Sequence, residues 1–288
     1  MSSPIKKVII PVAGFGTRFL PATKAQPKEM LPVVDKPILQ YMVEEAVASG
    51  IEDIIIVTNF NKRAAEDHFD HLPELENWLL KQGKQKAFEQ ISQIADLANF
   101  IYIRQKGPYG NGTPVLCAKH VIGQEPFAVV WGDDLLIGEP PRLKQLIDVY
   151  KQYGSPVVTG YEVDDEGTKH YGILKTKPLT EDVFEVQGIV EKPGPTEAPS
   201  RLASLGGYIL TPDIFNILEN TSLGRDKELW LVDAIEALRQ HRPIFAKKVQ
   251  GTYYDVGSKL GWLKANVDLA LNHPDIKDDF KKYLSEKI

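Results

Sequence analysis

The chain is short of sulfur and of long apolar runs. Among its 288 residues there is one cysteine, Cys117. No internal disulfide can form, so the fold needs no oxidising compartment. Cys117 lies in the apolar run Val115-Leu116-Cys117-Ala118 and reads as a core residue rather than a nucleophile. The N-terminal apolar run, Val8 to Ala13, is far below the ~20 residues of a membrane span. Glycines follow it at once, which does not suit a signal-peptide core. The expected location is the cytoplasm. Basic charge is not in excess: 34 Lys and Arg face 39 Asp and Glu, a formal charge of −5. That balance gives no general attraction to nucleic acid or to an anionic membrane, and neither is an expected partner. Repeats and low-complexity tracts are absent. The six histidines show no zinc-binding arrangement.

What is present suits an α/β protein. Val8-Ile9-Ile10-Pro11-Val12-Ala13 is continuously apolar and reads as a strand buried on both faces. Over 38–48, Leu39, Met42, Val43, Ala46 and Val47 fall on one helical face, and Gly50 stops the helix. Ile54 to Thr58 is the next buried strand, so a right-handed crossover and a parallel sheet are expected. Further strands are read at 100–103, 127–131, 157–163, 171–174, 186–191 and 206–210. Helices are read across most of 62–97, at 115–121 and 143–150, and near 212–219, 228–239 and 259–271. We read a single domain over 1–288. Its parts are a nucleotide-binding core at 1–165, a sugar-binding part at 166–250 and C-terminal helices at 251–288.

Three loops carry residues suited to phosphate chemistry. Gly14 and Gly16 follow the first strand and allow a tight turn with close ligand approach. Arg18 adds a fixed fork of donors, and Lys28 follows ten residues on. The loop is not a P-loop, and Phe19 breaks the dinucleotide fingerprint. A plain turn stays open on this spacing. Gln105 offers a donor and an acceptor for a base edge, and Gly110 leaves room for the base; a surface loop is the other reading. Asp133 and Asp134 end a buried strand, where ligands bind in open α/β sheets. Magnesium accepts one or two carboxylates plus substrate phosphates, and Asp255 precedes a predicted helix. A solvated turn is equally open for Asp133 and Asp134, and an N-terminal helix residue for Asp255. Glu191 suits sugar hydroxyls and Lys192 a sugar phosphate. As strand neighbours they should face opposite ways and not pair.

The runs Ile10-Pro11-Val12-Ala13-Gly14-Phe15-Gly16-Thr17-Arg18-Phe19-Leu20-Pro21-Ala22-Thr23-Lys24 and Pro27-Lys28-Glu29-Met30-Leu31-Pro32-Val33-Val34-Asp35-Lys36-Pro37 closely resemble bacterial UTP–glucose-1-phosphate uridylyltransferases. The resemblance extends over nearly the whole chain. It implies a Rossmann-like mixed, mostly parallel sheet with flanking helices, of the nucleotidyltransferase and glycosyltransferase-A kind. It implies UTP and glucose 1-phosphate as substrates, Mg2+ as cofactor, and a homodimer or homotetramer. By the same resemblance Ala13 and Gly14 contact the base, Arg18 and Lys28 hold the triphosphate, and Glu29 lies at the nucleotide site. Gln105 and Gly110 recognise the base, and Asp133 and Asp255 flank the metal. Gly172, Glu191, Gly207 and Tyr208 form the sugar pocket, Lys192 neutralises its phosphate, and Lys259 joins the phosphate shell. Two segments depart from the family pattern. Gly110-Asn111-Gly112-Thr113-Pro114 stands for Gly-Leu-Gly-His-Ala, and Glu228-Leu229-Trp230-Leu231-Val232-Asp233 for Glu-Ile-Gln-Leu-Thr-Asp. The alternatives are the same chemistry with dTTP or another hexose 1-phosphate, a non-catalytic nucleotide- or sugar-binding regulatory subunit, and a glycosyltransferase. The triphosphate cradle argues against the last.

Overall fold

Alternation along the central strands decides which helices cover which face. In the computed structural model, which describes residues 4–224 and 227–287, Asp53–Thr58 is a strand with both faces buried. Ile54 and Ile56 enter one core, Ile55 and Val57 the other. The strand Lys7–Pro11 does the same, with Val8 and Ile10 on one side and Ile9 on the other. The first core takes in the helices Ile38–Ala48 and Arg142–Tyr153. The second takes in Gly112–Cys117, Asp213–Asn220 and Leu231–Arg239. Ile38–Ala48 buries Leu39, Met42, Val43 and Ala46 as their spacing requires, and Gly50 ends it at φ 85°. Each fully buried aliphatic side chain of this kind contributes about 1.5–3 kcal/mol.

Among the described residues the main sheet has nine strands. Asn99–Arg104, Asp53–Thr58, Lys7–Pro11 and Phe127–Val129 lie side by side and parallel. Leu202–Leu210 joins antiparallel to Phe127–Val129, followed by Val157–Glu162, Phe245–Lys248, Val183–Glu191 and Gly172–Pro178. The last of these pairs back on the first half of Leu202–Leu210, so the second part of the sheet closes on itself. A separate antiparallel ribbon pairs Asp134–Ile137 with Thr252–Asp255.

The mixed α/β architecture agrees with the expectation from sequence, but the sheet is not mostly parallel: among the described residues four of its strand pairings are parallel and five antiparallel, because Leu202–Leu210 and Val183–Glu191 run against their neighbours. Two local corrections join this one. The helix read at 115–121 is two short ones, Gly112–Cys117 and Lys119–Ile122, meeting at Ala118. The C-terminal part 251–288 opens with a strand, Thr252–Asp255, before its helices Lys259–Ala270 and Lys277–Ser285. That strand and Asp134–Ile137 are four residues each and define a ladder only together, so neither carries a readable period alone. Asp226, two residues before the second departing segment, lies outside the described residues.

Candidate active site

The parallel strands Lys7–Pro11, Asn99–Arg104 and Phe127–Val129 all deliver loops from their carboxyl ends, as ligand sites in open α/β sheets require. These loops enclose a cavity of about 470 Å³. Ala13, Gly14, Arg18, Lys28, Glu29, Gln105 and Gly110 all line it, so the residues expected at the nucleotide meet in one place. Gly16 does not line it. It sits behind, at φ 66°, where an added Cβ would lie 3.2 Å from the Lys28 Cβ, and its carbonyl accepts the Thr23 hydroxyl at 2.7 Å. Gly110, at φ 115°, touches the Leu229 backbone so closely that a Cβ would lie 2.2 Å from its carbonyl oxygen. Phe15 and Tyr109 are exposed aromatics on the same cavity, with ring centroids 5.9 Å apart.

The two aspartates expected at a metal are brought together by the ribbon, which sets Asp255 opposite Asp134 in register. They converge on Gly257. A Cβ there would lie 2.5 Å from Asp133 Oδ2, 3.1 Å from Asp255 Oδ1 and 3.2 Å from Arg18 Nη1. The missing side chain therefore leaves a small cradle, walled by two carboxylate oxygens and one guanidinium nitrogen, that an alanine would fill. Lys28 Nζ donates to Asp133 Oδ2 at 2.5 Å, and Arg18 Nη1 donates to the Gly257 carbonyl at 3.3 Å. Burial pulls the Lys28 ammonium down, but the Asp133 and Glu29 carboxylates outweigh it and leave it above the usual lysine range. Glu29 is buried against Lys62 at 3.2 Å. Burial pushes its carboxyl up, against the pull of Lys62 and Lys28.

Asp134 faces away from this cluster and does a different job. Its Oδ2 accepts the Gly206 N–H at 2.7 Å and its Oδ1 accepts the Tyr253 hydroxyl at 2.8 Å. Burial, followed by the neighbouring Asp133 charge, pushes its carboxyl up to about 6. Behind it the fully buried Arg142 donates to the Gly206 carbonyl and forms a 2.9 Å ion pair with Glu45. Gly206 stands at a bulge between Leu205 and Tyr208, where the ladder leaves its N–H and C=O unpaired. Asp134 and Arg142 supply those missing partners.

A second cavity, of about 970 Å³, adjoins the first and shares Arg18 and Asp133 with it. Asp255, Tyr171 and Lys192 line it, with Tyr161 and Tyr253. Gly172 is the register partner of Glu191, and a Cβ on Gly172 would lie 3.1 Å from Glu191 Oε2. One expectation fails here. Lys192 and Glu191 do approach each other, Nζ to Oε1 at 3.8 Å, because Lys192 leaves the strand at φ 47° and the alternation of faces ends with it. Gly172, Glu191, Gly207 and Tyr208, all expected in the sugar pocket, line neither cavity. A Cβ on Gly207 would meet Thr159 and Arg142, and the Tyr208 ring packs edge-on to Trp131 at 5.7 Å. Lys259, the first residue of its helix, is exposed and lines neither cavity. Among the described residues no group of three or more His, Cys, Asp or Glu side chains gathers as a metal cage.

The pattern of the nucleotidyl transferase family matches residues 7–272. The chain belongs to that family. It is 50% identical to the UTP–glucose-1-phosphate uridylyltransferase YngB of Bacillus subtilis, over 100% of this chain and 97% of that protein. The uridylyltransferase of the same name from Staphylococcus haemolyticus is 49% identical over 98% of each chain. A solved UTP-bound UDP-glucose pyrophosphorylase from Acinetobacter baumannii superposes with a TM-score of 0.92 at 40% identity, covering 98% of this chain and 99% of that one. A UDP-glucose pyrophosphorylase complexed with UDP-glucose superposes at 0.82 with 43% identity, covering 92% and 98%.

Several residues of this nucleotidyltransferase site were not read from the sequence. Tyr253 had an available signal: it stands two residues before Asp255, and in a strand that spacing puts both on one face. Gly257 and Lys62 carry no such signal, because their roles come from contacts far along the chain.

Proposed function

We propose that the chain transfers a uridylyl group from UTP to glucose 1-phosphate, giving UDP-glucose and pyrophosphate. The observation that carries this reading is the meeting of Asp133, Asp255 and Arg18 around Gly257, at the seam between a cavity lined by Gln105 and a cavity lined by Lys192. Its nearest support is the pair of relatives named for that reaction and the two solved neighbours described with UTP and with UDP-glucose.

Gln105 reads the uracil edge, and Ala13, Gly14 and Gly110 let the base lie close to the backbone. Arg18 and Lys28 neutralise the triphosphate. Lys192 holds the sugar phosphate, with Glu191 and Gly172 beside it for the sugar. A phosphate oxygen of glucose 1-phosphate attacks the α-phosphorus. The new O–P bond forms as the bond from the α-phosphorus to the bridging oxygen breaks, and that electron pair leaves with pyrophosphate. The nucleophile is already an anion, so no general base is needed and catalysis is positioning and charge neutralisation. Asp133 and Asp255 are the residues that would hold Mg2+, since their two carboxylate oxygens face one point at Gly257 and Mg2+ takes one or two carboxylates with substrate phosphates; when bound, it would neutralise phosphate charge.

This reading treats 1–288 as one domain, because the ribbon of Asp134–Ile137 with Thr252–Asp255 ties the nucleotide part to the C-terminal part. It places the protein in the cytoplasm as a homodimer or homotetramer; no helix among the described residues is long and apolar enough to cross a membrane. The test is pyrophosphate release with Mg2+ and glucose 1-phosphate, offering UTP, dTTP, ATP, CTP and GTP in turn. Release with UTP well above the others is the expected result. Preference for dTTP moves the identity to the neighbouring activity. Silence with all five nucleotides and with other hexose 1-phosphates overturns the reading.

A further inference from the structure

The Lys28 ammonium has two places to be. It lines the nucleotide cavity, yet here it lies on Asp133 Oδ2 at 2.5 Å, with both side chains only about a quarter exposed. The backbone that carries it is fixed by the tight turn Lys28–Met30 and by the Gly16 contact against its Cβ, so the long side chain is the part that can swing. Asp133 Oδ2 is also the oxygen nearest the open cradle at Gly257, with Asp255 Oδ1 and Arg18 Nη1 on the other sides. One carboxylate oxygen cannot hold an ammonium and a divalent cation together without strong like-charge repulsion.

We propose that Lys28 is a movable counterion: in the nucleotide-free protein it occupies Asp133 and keeps free divalent metal out, and the nucleotide phosphates draw it away and open the carboxylate. The inference rests on the reading that Asp133 and Asp255 hold the metal beside the nucleotide. Its consequence is that metal binds well only with the triphosphate. A cation swings from one anion to another, so the charge of the pocket changes little as the metal–nucleotide complex enters. Arg18 does not share this role, because its guanidinium is tied to the Gly257 carbonyl.

The experiment titrates the full chain with Mn2+ without nucleotide and reads free Mn2+ by electron paramagnetic resonance. Lys28→Met is expected to bind Mn2+ about ten-fold tighter than the wild type, since a contacting cation is removed. Lys28→Gln should do the same, which guards against a folding defect in one variant. Lys264→Met removes an exposed lysine from the wall of the neighbouring cavity and should change affinity by less than about two-fold, as screened surface charges do. Adding Asp133→Asn to Lys28→Met should erase the gain. With UTP present the order reverses and Lys28→Met binds Mn2+ more weakly than the wild type. Mn2+ binding by Lys28→Met no tighter than wild type, or an equal gain in Lys264→Met, overturns the proposal. If the wild type turns over no nucleotide while the nucleotide-free gain of Lys28→Met still appears, the functional reading falls and the counterion contact stands.

Discussion

Replacing Gly257 with alanine tests the active-site geometry with one carbon atom. The added Cβ would lie 2.5 Å from Asp133 Oδ2, where ordinary van der Waals contact begins near 3.4 Å. The Asp133 carboxylate must therefore recede by roughly an ångström, because the glycine backbone beneath it is held between the ribbon and the helix Lys259–Ala270. Asp255 Oδ1 and Arg18 Nη1, at 3.1 and 3.2 Å from the same point, are also tighter than usual and must yield by tenths of an ångström. A misplacement of about 1 Å in catalytic groups costs on the order of 10²-fold in rate, or ~2.7 kcal/mol on the barrier. The effect should fall on kcat, read as pyrophosphate release under saturating UTP and glucose 1-phosphate. KM for UTP should move little, since the base and the Gln105 side of the cavity are untouched. Gly257 is outside the left-handed region, so alanine is compatible with its backbone and reduces the freedom of the unfolded chain, worth about 0.4–1 kcal/mol, against about 1–3 kcal/mol for the crowded contacts. The protein should stay folded, with a modestly lower Tm, as kcat falls. A folded Gly257→Ala protein with kcat within about three-fold of wild type would refute the view that this cradle is where the carboxylates work.

Two further substitutions probe the walls of the site. Gly110→Ala places a Cβ 2.2 Å from the Leu229 carbonyl oxygen at φ 115°, where neither atom is the end of a flexible side chain; a loss of about 2–4 kcal/mol in urea unfolding is expected, and a loss below about 1 kcal/mol would mean the loop yields. Lys62→Met leaves the Glu29 carboxylate buried with one partner fewer, at a cost of about 3–5 kcal/mol at pH 8. Burial raises Glu29 above its unfolded value and Lys62 lowers it, so without Lys62 it rises further and the folded chain holds a proton that the unfolded chain releases. Stability then falls as pH rises through that window, and the loss in Lys62→Met should be smaller at pH 5 than at pH 8; equal losses at both would contradict the assignment.

The parts of the fold that were legible in the sequence are those with a local cause. Lys7–Pro11 and Asp53–Thr58 announce themselves as runs of apolar, β-branched residues, and Ile38–Ala48 by its spacing. Gly14, Arg18, Lys28, Gln105 and Gly110 follow from strands that could be found, Ala13 and Glu29 came only through the family resemblance, and Phe15, Tyr109 and Trp131 on the same cavity were not read. The carboxylates were legible as residues, and as a pair only through the family resemblance, because Asp133 and Asp255 meet through a ribbon whose two strands lie far apart along the chain. The sugar side was legible only in part. Glu191 and Lys192 behave unlike strand neighbours because one residue takes a positive φ, Gly172 and Glu191 lie outside both cavities, and so do Gly207 and Tyr208, beside a bulge that shifts the register of their strand. Neither event has a local signature strong enough to read without the partner strand.

The two segments that depart from the family pattern are in contact, which changes what their departures mean. Leu229 N donates to the Tyr109 carbonyl at 2.8 Å, and Gly112 N donates to the Leu229 carbonyl at 2.9 Å. The Asn111 side-chain oxygen accepts the Leu231 N–H at 2.8 Å, and Leu231 is the first residue of the helix Leu231–Arg239. Asn111 therefore caps a helix that begins 120 residues later, satisfying one of the donors that every helix start leaves open. Side chains from both segments, Asn111 and Pro114 from one and Glu228 from the other, line the nucleotide cavity. The changes at 110–114 and at 229–232 thus belong to one packed joint beside the base, not to separate alterations of a base pocket and a sugar pocket. Restoring the family residue at 111 alone would remove the cap of the helix that the second segment begins, so any effect on base preference has to be sought with the two segments exchanged together.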